Sequence, residues 1–265
     1  MDLLPTIDAV ALSVSLLFFV VGSISDFKTR EVDDKVWWAY GPLGATLTGI
    51  RLIIDPSLLL LTGISIGIAF LISMGMFYFG LTGGADAKAI ICLGITLPLP
   101  PNSWQPLMGF VHPFFPVVVV MMGFICSGLI ALWFGISNLV SYARLRHGMF
   151  EGLEHEGGMR KAIAFISGYP THISNLQSKF YLYPMEEITG SGLSSRRTFK
   201  FFVDAESDRD KLVSSFLEKL SATGFQGLVW VTPGLPMLFF ILIGLAIALV
   251  IGDPIFTTIL RSVLR

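Results

Sequence analysis

Two acidic residues sit beside apolar runs, where a charge is costly. "GSISDFKTREVDDKVWW" carries Asp26 at the end of one run, and "LTGGADAKAI" carries Asp86 at the start of another. Two carboxylates that share a site repel each other and are partly stripped of water, so the pair holds one proton between them. One member then acts as general base on a water molecule, and the other as general acid toward a carbonyl oxygen. That is peptide hydrolysis with no covalent intermediate. The neighbours suit it: Gly83 and Gly84 permit close approach of an extended peptide, and Gly22 and Ser23, one turn before Asp26, leave space on its face. Each acid alone has a simpler use. Asp86 suits a helix N-terminus, whose free N–H groups and positive dipole end favour a carboxylate. Asp26 alone reads as an interfacial residue.

The elements that hold these residues are membrane helices. Of the 265 residues 53% are hydrophobic and only 14% charged, against about 25% in soluble domains. This is the composition of a polytopic membrane protein, mainly α, and nothing in it points to a nucleic-acid partner. A helix needs roughly 20 apolar residues to cross. Six spans are expected: Ile7–Ser25, Val36–Ile54, Ser57–Gly80, Ala85–Leu97, Phe114–Val140 and Val231–Ile251. The fourth, about 13 residues and about 20 Å long, crosses only if other helices surround it, or is re-entrant. "LPLPPNSWQP" ends it.

Lys and Arg near the span ends set the orientation. Lys28, Arg30 and Lys35 follow span one, Lys88 follows span three, and Arg144 and Arg146 follow span five. The opposite loops are nearly bare. Arg51 is an exception, expected to pair at i,i+4 with Asp55, and Arg261 and Arg265 run against the trend. The balance puts the N-terminus outside a multi-pass plasma-membrane protein and Asp26 and Asp86 together at the cytoplasmic face. Asp55 and Asp253 are the other acids beside apolar core, on the outer side. The acidic "MDLLPTIDAV" lacks the basic start of a secretory signal, so the first run reads as a retained helix.

The chain divides into a membrane body (residues 1–140), a polar insert (141–228) and a last span with its tail (229–265). The insert reads as a small α+β module on the cytoplasmic side, first prolonging span five through "SYARLRHGMF". "KFYLYPMEEI" and "RRTFKFFVDA" read as strands. "DRDKLVSSFLEKLSATG" reads as an amphipathic helix with Leu212, Phe216 and Leu220 on one face and Gly224 as its stop. Cys92 and Cys126 lie in apolar runs and form no disulfide framework. His112, His147, His155 and His172 show no metal spacing, and no cofactor is expected. Gly63 with Gly67, and Gly123 with Ser127, have the small-xxx-small spacing of close helix packing.

Other polar residues have two readings each. Lys88 is a charge partner for Asp86 or a solvated topology lysine. Glu31, Asp33 and Asp34 recognise a basic substrate segment or form a hydrated turn. Pro233 and Pro236, at the start of span six, widen a groove or merely kink the helix.

"GSISDFKTREVDDKVWW" resembles the first-aspartate segment of the prepilin peptidase family, GxGD-type membrane aspartic proteases. "LTGGADAKAI" resembles its Gly-x-Gly-Asp-x-Lys motif, with Asp86 and Lys88 matching, and "WVTPGLPML" its Pro-x-x-Pro start of the last helix. The six spans, the short fourth span and the insert look most like the archaeal branch, the preflagellin (prearchaellin) peptidases. The resemblance implies catalysis by Asp26 and Asp86 without metal. It implies removal of class III signal peptides from membrane-inserted archaellin or type IV pilin-like precursors at the cytoplasmic face, between a basic segment and an apolar helix. The chain departs from the pattern at Ala85, where the family usually has glycine. It also lacks the cysteine-rich N-terminal segment of bacterial members, so no methyltransferase activity is expected. The rival readings are a proton-coupled transporter and a non-catalytic scaffold of a pilus or archaellum assembly. Against the transporter stand the absence of an acid opposite the pair and of an inverted repeat. Oligomeric state is not fixed by the sequence.

Overall fold

Apolar sequence becomes helix along most of the chain. The computed structural model describes residues 3–102, 104–145, 148–189, 196–201, 209–225 and 227–263. Arg146, His147, Arg265, Asp208 and the last residues of the second expected strand (202–205) lie outside them. The described helices are α1 (Leu3–Thr29), α2 (Asp34–Ile54), α3 (Leu59–Tyr78), α4 (Gly84–Thr96), α5 (Phe115–Leu145), α6 (Gly158–Ser167), α7 (Ile173–Ser178), α8 (Arg209–Ser221), α9 (Met237–Val250) and α10 (Pro254–Val263). The strands are β1 (Tyr169–His172), β2 (Leu182–Pro184), β3 (Glu186–Thr189), β4 (Arg196–Phe199) and β5 (Leu228–Pro233). Two compact units result, one of residues 1–127 and 236–265, the other of residues 128–235.

Among the described residues three helical stretches are long and apolar enough to cross a membrane: Leu3–Thr29, Pro56–Tyr78 and Phe115–Ala143. The other expected spans differ from these. α2 contains Pro42 and the buried Arg51, and α4 and α9 have only 13 and 14 residues. The sixth span does not begin at Val231. Val229, Trp230 and Val231 are buried in β5, whose branched residues pair with β1 and β2, and "PGLP" then blocks the helix until Met237.

In the first unit α4 packs against α2 and α3 and also meets α1 and α9. Ile90 and Leu93 are fully buried there. Hydroxyls from its neighbours bond its main chain. The Ser73 hydroxyl donates to the Ala87 carbonyl (2.7 Å) and that of Thr48 to Ile95 (2.6 Å), while Ser65 donates to Pro98 just beyond (2.5 Å). The Thr48 bond answers one of the carbonyls that a helix end leaves without a partner. α5 and α9 cross at Gly123 and Gly244. A Cβ on Gly123 would lie 2.8 Å from the Phe240 carbonyl oxygen, and one on Gly244 would strike the Val119 carbonyl. Gly63 and Gly67 take no part in such packing: nothing lies within 4 Å of a Cβ at either.

The acids at the far end of this unit have other partners than expected. Arg51 does not pair with Asp55. Its Nε lies 3.4 Å from Asp8 Oδ1, both side chains almost wholly buried. Asp8 Oδ2 also accepts from the Asn102 main chain at 2.9 Å. Asp55 instead accepts from the main chain and hydroxyl of Ser57, and Asp253 caps the start of α10 at Phe256.

The second unit holds an antiparallel sheet in the order β1-β5-β2 and a separate β3-β4 hairpin. "KFYLYPMEEI" is thus two strands in two sheets, divided at Met185, whose N–H bonds to the Trp230 carbonyl. Glu186 and Arg197 form a buried two-pronged ion pair (2.7 and 2.8 Å). Glu186 also accepts from the Trp230 main chain, and the Arg197 guanidinium stacks 3.9 Å from the Phe225 ring centre. α8 buries Val213, Phe216 and Leu220, with Leu212 half-buried, and Gly224 (φ +69) follows it in the left-handed region.

Candidate active site

The C-terminus of α1 is shaped by hydroxyls. Thr29 donates to the carbonyls of Ser25 (3.0 Å) and Glu31 (2.9 Å), and Ser25 donates to Glu31 (2.8 Å). The chain reverses at Arg30, the one non-glycine residue with positive φ (+58) among those described. Its N–H still closes the last helical bond to the Asp26 carbonyl (3.1 Å). Asp33 then caps α2 by accepting from the Lys35 N–H (2.9 Å), a bond that holds its carboxyl below the usual range.

α4 starts at a matching device. Gly83 is its N-cap, and its N–H donates to Asp86 Oδ2 (3.1 Å). Glycine offers no side chain in return, so this is the reaching-back half of a capping box. The capping and catalytic readings of Asp86 are therefore compatible, since one oxygen anchors the carboxylate to its own helix start. A Cβ at Gly83 would meet only Asp86 Oδ2, at an ordinary 3.6 Å. Ala85 lies inside the first turn of α4 without positive φ and packs against the core. Glycine is not required there.

Asp26 and Asp86 are close enough for their charges to interact. The Leu238 N–H of α9 and the charge of Arg30 also act on Asp26. Its Oδ2 is buried with no hydrogen-bond partner among the described residues. The same holds for Ser23 Oγ, Thr82 Oγ1, and Nε and Nη1 of Arg30. Buried polar atoms are normally paired, and these unpartnered groups lie on the segments that carry Asp26 and Asp86. Gly22 does not leave open space. A Cβ there would touch Leu238 and Trp37 at 3.4 and 3.5 Å, ordinary contact distances, so α2 and α9 already pack against this position.

Several expected members lie elsewhere. Lys88 Nζ bonds Asp34 Oδ1 at 2.6 Å. Two residues beyond Asp86 on a helix, it points away from that carboxylate. With Trp37, Trp38, Ile91 and Cys92 the pair lines an open groove of about 370 Å³ between α2 and α4. Asp33 and Asp34 thus have partners within the chain, while Glu31 is exposed. Pro233 ends β5 in the second unit. Pro236 is the N-cap of α9, its carbonyl accepting from Phe239 (3.1 Å), next to the Leu238 whose N–H acts on Asp26. Sequence reasoning missed Arg30 as a member, because a positive φ leaves no signature in a basic turn. It also missed Asp8, whose partner is 43 residues away. Among the described residues no group of three His, Cys, Asp or Glu is placed to hold a metal.

Comparison with known proteins points one way. Residues 13–139, which include both acids, match the family model "Type IV leader peptidase family", and residues 160–254 match "Archaeal Peptidase A24 C-terminus Type II". The chain is 25% identical to the preflagellin peptidase of Methanococcus voltae over 95% of its own length and 99% of that relative's. It is 25% identical to that of Methanococcus maripaludis over 91% and 95% of the two lengths. Against that of Methanocaldococcus jannaschii it is 24% identical over 91% and 94%.

Proposed function

We propose a function for a chain that belongs to the type IV leader peptidase family, peptidase A24, and is therefore a protease: it is a membrane aspartic endopeptidase whose dyad is Asp26 and Asp86. Its substrates are membrane-inserted archaellin or type IV pilin-like precursors, and it removes their class III signal peptides. The observation that carries this reading is that two acids distant in sequence, both inside the leader-peptidase match, sit on helices that touch, with a buried and unpartnered carboxylate oxygen on Asp26.

One carboxylate takes a proton from water as the water attacks the scissile carbonyl. The other donates a proton to the carbonyl oxygen, giving a gem-diol that collapses as the amine leaves with a proton. Asp86 is the more constrained partner, tied to Gly83 N–H. Arg30 and the Leu238 N–H supply positive partners for an ionised Asp26.

The bilayer completes the reading. The chain crosses six times with its N-terminus outside, and the short α4 and α9 cross because neighbouring helices surround them. Asp26, Asp86 and the insert then face the cytoplasm, where the basic segments of precursors lie. Glu31 is the acid of the turn left to meet such a segment.

The transporter reading requires an acid at the other end, and the structure contains one, Asp8. It is fixed by Arg51 and Asn102, which suits a structural pair better than a proton relay. The test is cleavage of a purified class III precursor by the purified protein in detergent, followed as a size shift. Loss of the shift in both Asp26→Ala and Asp86→Ala proteins that still insert and fold supports the dyad. Substantial cleavage by either variant rejects it.

A further inference from the structure

Within the second unit, α6 and α8 are two short amphipathic helices of opposite polarity. α8 turns Val213, Phe216 and Leu220 inward and leaves Lys211, Glu218 and Lys219 exposed, as a solvent-facing helix should. α6 does the reverse. Its charges are bound to the rest of the unit. Arg160 pairs with Glu156 (3.2 Å), donates to the Phe199 carbonyl and lies over the Phe201 ring, and Lys161 donates to the Glu154 carbonyl (3.0 Å) over the Phe150 ring. Its apolar residues Met159, Ile163 and Ile166, spaced i, i+4, i+7, are exposed, Met159 at 80% and Ile166 at 50%. An exposed apolar stripe on a helix whose cations are already engaged within the unit points to an apolar partner.

The neighbour of that stripe identifies the partner. The C-terminus of α6 is clamped to α5. Asn138, itself buried, donates to the carbonyls of Phe165 (2.7 Å) and Gly168 (2.6 Å), and Ile166 comes to within 3.9 Å of a Cβ placed on Gly135. This part of α5 belongs to the long apolar stretch Phe115–Ala143 and exposes Leu132, Trp133, Ile136, Leu139 and Val140. The clamp lies five to eight residues before Ala143, about 8–12 Å short of the end of that stretch. Whatever covers Leu139 and Val140 therefore reaches the level at which α6 is attached.

We propose that α6 is an in-plane membrane anchor: it lies at the bilayer surface with Met159, Ile163 and Ile166 in the acyl–headgroup boundary, continuing the lipid-facing surface of α5. Its occupant is lipid, because the stripe adjoins the exposed apolar face of α5, which lipid covers if that stretch crosses the bilayer as its length and composition suggest. An interfacial helix of this kind usually spreads its cations toward lipid headgroups. Here they are engaged within the unit, so attachment rests on apolar burial and is insensitive to lipid charge and to salt.

The test uses the full chain in liposomes, with Cys92 and Cys126 replaced by Ala. Spin labels are placed singly at Met159→Cys, Ile163→Cys, Ile166→Cys and, as a solvent reference on α8, Glu218→Cys. Collision with dissolved oxygen against collision with a water-soluble nickel complex reports immersion depth. The proposal expects oxygen to dominate at 163 and 166, nickel to dominate at 218, and the same ratios in neutral and anionic lipid and at 1 M salt. Nickel dominance at 163 and 166 overturns it, as does exclusion of both reagents there, which would mean that protein covers the stripe.

Discussion

α1 carries an acid near each end, and the two are treated in opposite ways. Asp8 is 2% exposed, faces Arg51 and accepts from the Asn102 main chain. Asp26 is half-buried, keeps one oxygen without a partner among the described residues, and lies within charge range of a second carboxylate. One end spends its charge on holding α1, α2 and the 98–102 turn together. The other leaves a buried carboxylate oxygen without a hydrogen-bond partner among the described residues, an arrangement that costs stability. The contrast separates structure from chemistry within a single helix, and substitutions at the two ends should divide along the same line.

The largest effect is expected at the Asp26 end. Asp26→Asn and Asp86→Asn, nearly isosteric, should each lower kcat by about 10²–10⁴-fold while leaving thermal unfolding in detergent within a degree or two of the parent. A large drop in melting temperature with residual cleavage would erase the distinction. At the other end, Asp8→Ala should cost about 3–5 kcal/mol by stranding Arg51 in the core, with kcat of the surviving folded fraction unchanged. The double change Asp8→Leu, Arg51→Met should recover most of that loss. Failure of the double variant to recover would show that the pair does more than hold the helices.

Arg30 tests the boundary between the two roles. Arg30→Gly relieves a left-handed backbone strain of order 1 kcal/mol but removes the charge beside Asp26. It should unfold no more easily than the parent and lose roughly tenfold in kcat, equivalent to about 1.4 kcal/mol, while Arg30→Lys retains most activity. Equal losses in both variants would put the role in guanidinium geometry instead of charge. The smallest effect belongs to Lys88→Met. Its exposed pair with Asp34 is worth about 0–1 kcal/mol, and cleavage should stay within about twofold by initial-rate assay.

These expectations also show what the chain discloses by itself. Asp26 and Asp86 stand out as candidates because charge is rare in this composition, and the expected topology puts them at one face. The Arg51 pairing was misread because a sequence shows neighbours at i,i+4 and hides a partner on another helix. Val231 was read as membrane helix because a short apolar run has no period that separates a buried strand from a buried helix. Only the sheet partners β1 and β2 decide it. α6 escaped notice for a related reason. Its ten residues are too few to stand out, and its polarity has meaning only beside α5. Ala85, the letter that departs from the motif, sits where the backbone needs no glycine, because α4 is already regular helix at that point.

The glycine crossing of α5 and α9 has a consequence for biosynthesis. On the six-crossing reading α9 is about 21 Å long and cannot span about 30 Å of hydrocarbon alone. It leaves the ribosome after the whole insert has been made, and its berth is the notch at Gly123. Insertion of the last helix therefore waits on α5 already standing in the bilayer. Gly123→Leu should appear first as a C-terminus that fails to reach the outer side in a protease-protection assay, before any defect in the finished enzyme is measurable.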